Sequence, residues 1–574
     1  MKIISTLLIT LFISMQAFAT SFPDSGKFLK EFNDENLRKT TSLKNNIKDE
    51  KVIENKSIDN SHEIFINGFN IYGNTKLESK HIQQLLLSYT NKNMTTSELH
   101  NVANILMSAY KKEGYFVAKV YIPPQTILNG IVDIHVYEGY LSPNGIKINN
   151  NSTNINSEKI YKLLKNTLKE KTIITSRDYE RALLLSNDIP GISTKGIIYP
   201  GQEVGTADFL LEIDNEDSFA ANVDYDNFGG YYTGKNRFGS TLYFNSPSKN
   251  GDQIVTRFVS TGKKSNFAYL DYNLPILDNG SKIGASLGFL KYELDKEYES
   301  KDVNGKGYDA KVYYSYPFIR SRHLNVFGEI SASHTHLKDK DTSSIFSERK
   351  INSSKFRIHG DHDDDFFTSG ISYFDFSSTF GNVDLDNNQA FRVYDSQTSN
   401  TQGTFAKFNF SLSRLQHLGG NFSTYIAFKG QLASKNLDSS QKFYLGGPYS
   451  LAGYPVGEIS ADNGLLAHID LRYDMNNLPW GGNFQFSTFY SQGWAKLHKN
   501  TWSGWQGTSN IIENNMNLKS VGIGLSQYFT EKSVIRAMFG RQIGTNKARD
   551  PLTNDATDKS SSDYRLWLNA IYYF

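Results

Sequence analysis

The chain has 574 residues, 61 Lys plus Arg against 59 Asp plus Glu, a formal net charge of +2 and no cysteine. That balance leaves no electrostatic footprint for nucleic acid, and the lack of thiols excludes both a disulfide framework and thiolate metal ligation. Beyond residue 19 no stretch reaches the roughly 18 consecutive apolar residues of a membrane helix, and mean hydropathy is −0.47, so a membrane, if crossed, is crossed by strands. Aromatic residues make up 13% of the chain, with 34 Tyr and 38 Phe, which suits the interfacial girdles of a barrel with a wet interior.

Lys2, an apolar run from Ile3 to Phe12 and Ala17-Phe18-Ala19 form the basic, apolar and small-residue parts of a secretory signal peptide cut after Ala19. From Asp24 to about Asn60 the chain is polar, with one weak helical pattern at Phe28, Leu29, Phe32 and Leu37 before a linker. From about Glu63 to Gly139 the pattern predicts strand, helix, helix, strand, strand. Alternation through Ile64, Ile66, Phe69 and Ile71 ends at the Gly73-Asn74 turn. A first helix carries Ile82, Leu85 and Leu86. Thr95 and Glu98 are spaced as a capping box for a second, with Leu99, Val102, Ile105, Leu106, Ala109 and Tyr110 on one face and Gly114 as its stop. Strands are expected over Phe116–Ile122 and Ile131–Tyr137. Residues from about Leu141 to Asp214 repeat the plan, giving two modules of about 75 residues, near the lower end of domain size.

From Phe219 to the C-terminus helical periodicity disappears, and about sixteen alternating segments of roughly ten residues take its place. Between Asn463 and Asp474 one face reads Leu465, Ala467, Ile469, Leu471, Tyr473, and the other Leu466, His468, Asp470, Arg472, Asp474. Aliphatics opposite charge put lipid on one side and a polar lumen on the other. The final segment keeps Tyr564, Leu566, Leu568, Ala570, Tyr572 and Phe574 on one face. Long polar stretches near 292–306, 336–351, 377–401, 435–462, 494–517 and 541–562 alternate with short turns such as Pro275–Gly280, Asp363–Phe366 and Asn476–Gly481. A barrel with short inner turns and long outer loops has this asymmetry; a β-sandwich has no reason for it.

Four segments resemble the outer-membrane transporters of two-partner secretion, the TpsB type related to haemolysin and filamentous-haemagglutinin secretors. Pro23-Asp24-Ser25-Gly26-Lys27-Phe28-Leu29 is similar to the start of that family's plug helix. Gly114 to Pro123, with Gln125, Gly130 and Glu138-Gly139-Tyr140, resembles its first POTRA (polypeptide-transport-associated) domain. Asn222-Val223-Asp224 with Tyr232-Thr233-Gly234 resembles its first barrel hairpin. The most specific match is Leu445-Gly446-Gly447-Pro448-Tyr449-Ser450 followed by Gly453-Tyr454-Pro455-Val456-Gly457-Glu458, which resembles its sixth extracellular loop. The resemblance implies a mainly β fold: a 16-stranded transmembrane antiparallel β-barrel preceded by two small α/β POTRA domains and an N-terminal plug helix. The implied map is signal peptide 1–19, plug helix and linker 20–62, first POTRA 63–139, second POTRA 140–216 and barrel 217–574.

The implied function is translocation of an unfolded partner exoprotein, haemolysin or adhesin in type, across the outer membrane, with the POTRA domains in the periplasm. Outer-membrane lipid is a second partner, and no enzyme activity, nucleic acid, nucleotide or cofactor is expected. An outer-membrane protein assembly factor or a passive porin with periplasmic domains are the alternatives. The family usually carries an arginine where this chain has Ala452, and an aspartate on the thirteenth strand where Phe489-Tyr490 is followed by Ser491. Losing both members of an ion pair together avoids a stranded charge. The loop is therefore expected to stay in the lumen, held by Gly453, Tyr454, Pro455 and Glu458, with Phe489 and Ser491 opposite. Extended substrate is expected to add to an open sheet edge near Leu99, Tyr110, Phe116, Ala118, Val120 and Tyr121. His359-Gly360-Asp361-His362-Asp363-Asp364-Asp365 lacks any recognised ligand spacing and reads as a solvated acidic turn, not a metal site. There is no P-loop.

Overall fold

A computed structural model describes residues 23–39 and 63–574 apart from 477, 479–480, 507–511, 531 and 551–552. The signal peptide and the linker after residue 39 lie outside the described residues. The first element, α1 (Ser25–Lys39), is followed by a module of β1 (Glu63–Ile66), β2 (Gly68–Tyr72), α2 (Ser79–Leu86), β3 (Lys92–Thr95), α3 (Thr96–Lys112), β4 (Lys119–Tyr121) and β5 (Ile131–Tyr137). The capping box forms as its spacing requires: Thr95 Oγ1 accepts from Glu98 N–H at 3.2 Å, and Glu98 Oε2 accepts from Thr95 N–H at 2.8 Å. α3 buries Leu99, Val102, Leu106 and Tyr110 against Val120, Val132, Ile134 and Val136.

Two expectations need correction here. The single alternating run from Ile64 to Ile71 is two strands, because the N–H groups of Asn67 and Gly68 both turn to the Gly130 carbonyl, at 2.7 and 3.3 Å. Thereafter β1 pairs with β3, whereas β2 runs parallel to β5 in a sheet ordered β2-β5-β4. The strand expected over Phe116–Ile122 shrinks to Lys119–Tyr121, because Ala118 N–H closes a turn onto Tyr115 and Phe116 and Val117 pack against the next module.

The second module contains β6 (Tyr140–Asn150), α4 (Ser157–Thr167), α5 (Ser176–Asn187), β7 (Ile192–Pro200) and β8 (Thr206–Asn215), with sheet order β6-β8-β7. It is fixed to the first module by Phe116 against Tyr179, ring centroids 5.4 Å apart, and by Ser176 N–H donating to Gly114 O at 2.8 Å. It is fixed to the barrel through Asp188, whose carboxylate takes two bonds from Arg320 at 2.8 and 2.9 Å and whose carbonyl accepts from Lys282 Nζ at 3.1 Å.

The barrel begins with β9 (Phe219–Asp226), β10 (Arg237–Asn245), β11 (Gln253–Ser260), β12 (Ser265–Pro275), β13 (Lys282–Glu293) and β14 (Asn304–Arg320). It continues with β15 (Leu324–Lys340), β16 (Ile345–Asp364), β17 (Gly370–Asp384), a helix α6 (Gln389–Gln397), β18 (Gly403–Gly419) and β19 (Phe422–Ala433). After the short β20 (Phe443–Leu445) and β21 (Ile459–Ala461), it ends with β22 (Asn463–Met475), β23 (Asn483–Lys496), β24 (Asn515–Thr530), β25 (Ser533–Ile543) and β26 (Tyr564–Tyr573). All but β20 and β21 form one closed sheet of sixteen antiparallel strands, sealed where Asn569–Tyr573 of β26 meets Asp226–Asn222 of β9. Alternation sets the two faces: Leu465, Ile469 and Leu471 point out, whereas Leu466 and Asp470 are buried inside.

Three loop expectations change. The stretch 336–351 is strand except for the turn at 341–344, because β15 and β16 continue their ladder well beyond the apolar belt. His359–Asp364 lies on β16, not in a turn, and its acids bond within the barrel: Asp364 takes two bonds from Arg414, at 2.8 and 2.9 Å, and Asp361 accepts from the Asn325 amide at 2.9 Å. Within 377–401 the chain forms α6, capped by Asn388 Oδ1 accepting from Phe391 N–H at 3.0 Å, a nine-residue helix too short to leave a periodic signature.

Candidate functional site

The lumen is filled by two segments. α1 lies inside the barrel with Phe28, Leu29 and Phe32 against the inward-facing Val259, Phe267, Leu290, Tyr292 and Leu337. Phe32 stacks on Phe267 at 4.7 Å and 7°, with the Arg237 guanidinium 5.8 Å from its ring. Arg237 is itself set by two bonds to Asp226, at 2.7 and 2.9 Å. The beginning of α1 is tied down by charge. Arg349 of β16 donates to Asp24 at 2.9 Å, to Asp438 at 3.1 Å and to Asp339 of β15 at 2.6 Å. Ser25 N–H donates to Asp339 at 3.0 Å, and Gly26 is so close to Ser439 that a Cβ there would strike its Oγ.

The second segment is the connection from β19 to β22, residues 434–462, which folds back into the lumen. Its Leu445-Gly446-Gly447-Pro448-Tyr449-Ser450 stretch closes a tight knot. Gly446 and Gly447 have φ of 111° and 89°, Gly447 N–H donates to Tyr454 O at 3.0 Å, and a Cβ on Gly446 would strike the Pro455 carbonyl. The tip lies flat on β25: a Cβ on Gly453 would meet the Arg541 and Gln542 backbone at 2.6 and 2.7 Å, and one on Gly540 would strike the Ala452 carbonyl. Gly453 N–H donates to Ser520 Oγ at 2.9 Å, Gln542 Nε2 to Gly453 O at 3.1 Å, Tyr454 OH to Lys519 O at 3.1 Å and Trp567 Nε1 to Ala452 O at 2.7 Å. Glu458, fully buried, accepts from Asn546 at 2.6 Å and from the Thr557 N–H and hydroxyl at 2.9 and 2.6 Å. The two segments also touch, Lys27 Nζ donating to Gly457 O at 3.2 Å.

The profile of the haemolysin secretion/activation proteins ShlB/FhaC/HecB matches residues 205–549, and that of the ShlB-type POTRA domain matches residues 64–139. The chain belongs to the ShlB/FhaC/HecB haemolysin secretion/activation family. It is 27% identical over 503 residues to the heme/hemopexin transporter protein HuxB of Haemophilus influenzae, covering 87% of this chain and 85% of that one. It is 22% identical to the outer membrane transporter CdiB of Escherichia coli over 74% of this chain and 71% of that one. A solved CdiB structure from Escherichia coli shares the fold, with a TM-score of 0.69 at 17% identity over 96% of this chain and 98% of CdiB. As a TpsB-type transporter, the protein moves a partner exoprotein across the outer membrane in two-partner secretion.

In this ShlB/FhaC/HecB member the Ala452 methyl is buried beside Phe228, Phe489 and Trp567. Ser491 is also fully buried, its Oγ bonded to His468 Nδ1 at 2.8 Å. Of these two cross-strand neighbours it is Ser520, not Ser491, that bonds the loop, its Oγ accepting from Gly453 N–H. Neutral bonds thus stand where the resemblance led one to look for an ion pair. Pro455 lies at the tip, against Gly446.

The six POTRA residues divide. Leu99, Tyr110, Ala118 and Val120 are buried in their own module's core and Phe116 packs on the second module, so the side chains of these five are not presented to a ligand. Tyr121, 48% exposed on the edge strand β4, is the one that is. Tyr110 OH instead donates to Glu138 at 3.1 Å. Burial works to raise the Glu138 pKa, but bonds from the Thr75 hydroxyl and from the Thr75 and Lys76 N–H groups, at 2.6 and 2.8 Å, outweigh it and hold the carboxyl below its ordinary value.

Sequence reading missed the Arg349 cluster, because Asp24, Asp339 and Asp438 are far apart in sequence and each looks like a surface acid. It also missed Ser520, Asn546 and Thr557. Trp567 did leave a signal: a Trp on the polar face of the last strand has to find an acceptor inside.

Proposed function

We propose that the partner exoprotein is taken up unfolded, as an extended strand along the open POTRA edges, and passes through the lumen after α1 and the 434–462 loop move aside. The observation that carries this reading is the presence of unpaired periplasmic sheet edges at β4 and β7 together with a lumen whose occupants are no part of the barrel ladder and are joined to the wall by apolar packing and by polar contacts that can separate. Main-chain pairing tolerates varied sequence, which suits a long unfolded cargo. Folding outside would make passage directional, since a chain that folds on exit cannot return. In this reading the chain is not an enzyme and uses no nucleotide. Residues 1–19 are a signal peptide removed before assembly, 20–62 the plug and linker, 63–139 and 140–216 the POTRA pair in the periplasm, and 217–574 the barrel.

A photo-crosslinking residue at Tyr121, in cells co-expressing the partner exoprotein, is expected to capture that exoprotein during export. The same residue at Phe356, on the lipid face, is expected to capture none. Active export with no adduct at Tyr121 would contradict uptake at this edge.

A further inference from the structure

On the outside of the barrel, strand register aligns Ser260, Asn266, Lys291, Lys306, Lys338 and Glu348 in one rung across β11 to β16. Alternation turns this rung outward: along β13 Ile283, Ala285, Leu287, Phe289 and Lys291 are exposed while the residues between them are buried. Three lysines therefore stand side by side on adjacent strands. Directly opposite positions lie about 4.5–5.5 Å apart at Cβ, and like charges there destabilise a sheet. The neutralisation is incomplete. Lys291 Nζ is 3.2 Å from Glu293, and Lys338 Nζ is 3.6 Å from Glu348, a carboxylate also engaged by His336 at 3.0 Å and Asn387 at 3.0 Å. Among the described residues Lys306 has no ion pair.

Height on the barrel decides what this charge meets. The rung immediately below holds Phe289 against Tyr308, ring centroids 5.1 Å apart, and beneath it the outward side chains are Leu287 with Ala310, Ala285 with Val312 and Ile283 with Tyr314. At about 3.3 Å per residue, Ile283 to Phe289 covers about 20 Å along a tilted strand, the upper part of the roughly 25 Å apolar belt of an outer-membrane barrel. The lysines thus project just above the hydrocarbon, at the end of the barrel remote from the POTRA pair, which contacts Gly280 through Leu185. The sector at the outer ends of β22 to β24 lacks this feature: its outward rungs are Leu465, Trp494, Asn517 and then Asn463, Lys496, Asn515, with a single lysine.

We propose that β13 to β15 carry a binding site for a lipid phosphomonoester, the phosphorylated glucosamine headgroup of lipid A in the outer leaflet. Phosphate bridging neighbouring ammonium groups converts their repulsion into attraction, and the acyl chains lie along the Ile283–Phe289 belt. The site goes beyond the export reading and depends only on the barrel sitting in an outer membrane.

The test is a binding titration of the delipidated full-length protein in detergent micelles with bis-phosphorylated lipid A, its dephosphorylated form, phosphatidylglycerol and inorganic phosphate. The unchanged protein is expected to favour bis-phosphorylated lipid A over each of the other three. The combined Lys291→Gln, Lys306→Gln and Lys338→Gln variant should bind it about 100-fold more weakly, whereas Lys496→Gln should bind as before. Equal lipid A binding by the triple variant, with its heat-modifiable gel migration intact, would overturn the proposal. So would phosphatidylglycerol, free phosphate or the dephosphorylated lipid binding as tightly as lipid A. If the triple variant does not fold, Lys306→Gln alone decides, with about fivefold weakening expected and no change contradicting the site.

Discussion

Glu138 joins three parts of the first POTRA domain through one carboxylate: the turn after β2, the end of α3 through Tyr110, and the exit of β5. Because its folded pKa lies below the ordinary carboxylate value, the folded domain binds that proton less readily than the unfolded chain. The stabilisation is complete above the ordinary value and is lost as pH falls through the folded one. Glu138→Gln keeps the shape but removes the charge, and a buried charged hydrogen-bond network so weakened should cost about 1–2 kcal/mol. Hydrogen exchange of the full-length protein at pH 7 should then show α3 amides exchanging about 5- to 30-fold faster in the variant. That difference should shrink as the pH approaches 4; an unchanged rate at pH 7 would mean the network contributes nothing.

The tip of the 434–462 loop, from Ala452 to Tyr454, is held by shape and neutral bonds. Ala452 sits among Phe228, Phe489 and Trp567, and its carbonyl accepts from Trp567. Placing a cation there alone would strand it in a confined apolar site, at a cost of about 3–5 kcal/mol. Ala452→Arg is therefore expected to unseat the loop and expose it to added protease, and adding Ser491→Asp should restore protection. Protease resistance of the single variant equal to that of the unchanged protein would refute this account. The glycines of the loop were legible in sequence, since Gly446-Gly447 and Gly453 fit only where backbone is tightly turned or pressed on backbone. Its anchors were not, because Ser520, Asn546 and Thr557 come from other strands and loops and make no local pattern. On α1 the apolar face at Phe28, Leu29 and Phe32 was legible, but Arg349, its partner across the lumen, fell in the stretch 336–351 that reads as an outer loop.

At the scale of the molecule, the period-two alternation of lipid-facing and lumenal residues is strong enough over long segments to give the closed barrel from sequence alone, as β22 and β26 show. Loop lengths were less legible, because β15 and β16 extend past the apolar belt with polar residues on both faces, so that strand reads as loop. Docking through Asp188, Arg320 and Lys282 was also hidden, yet it seats the second α/β module directly against the barrel.

In the proposed export mechanism the cargo's route is the lumen now filled by α1. Cysteines in place of Phe32 and Phe267, whose rings stack at 4.7 Å, can be bridged with a short reducible thiol crosslinker in a chain that otherwise has no cysteine. Secretion of the exoprotein by cells carrying the bridged protein should fall to background and return on reduction. Secretion undiminished while the bridge is intact would contradict the account.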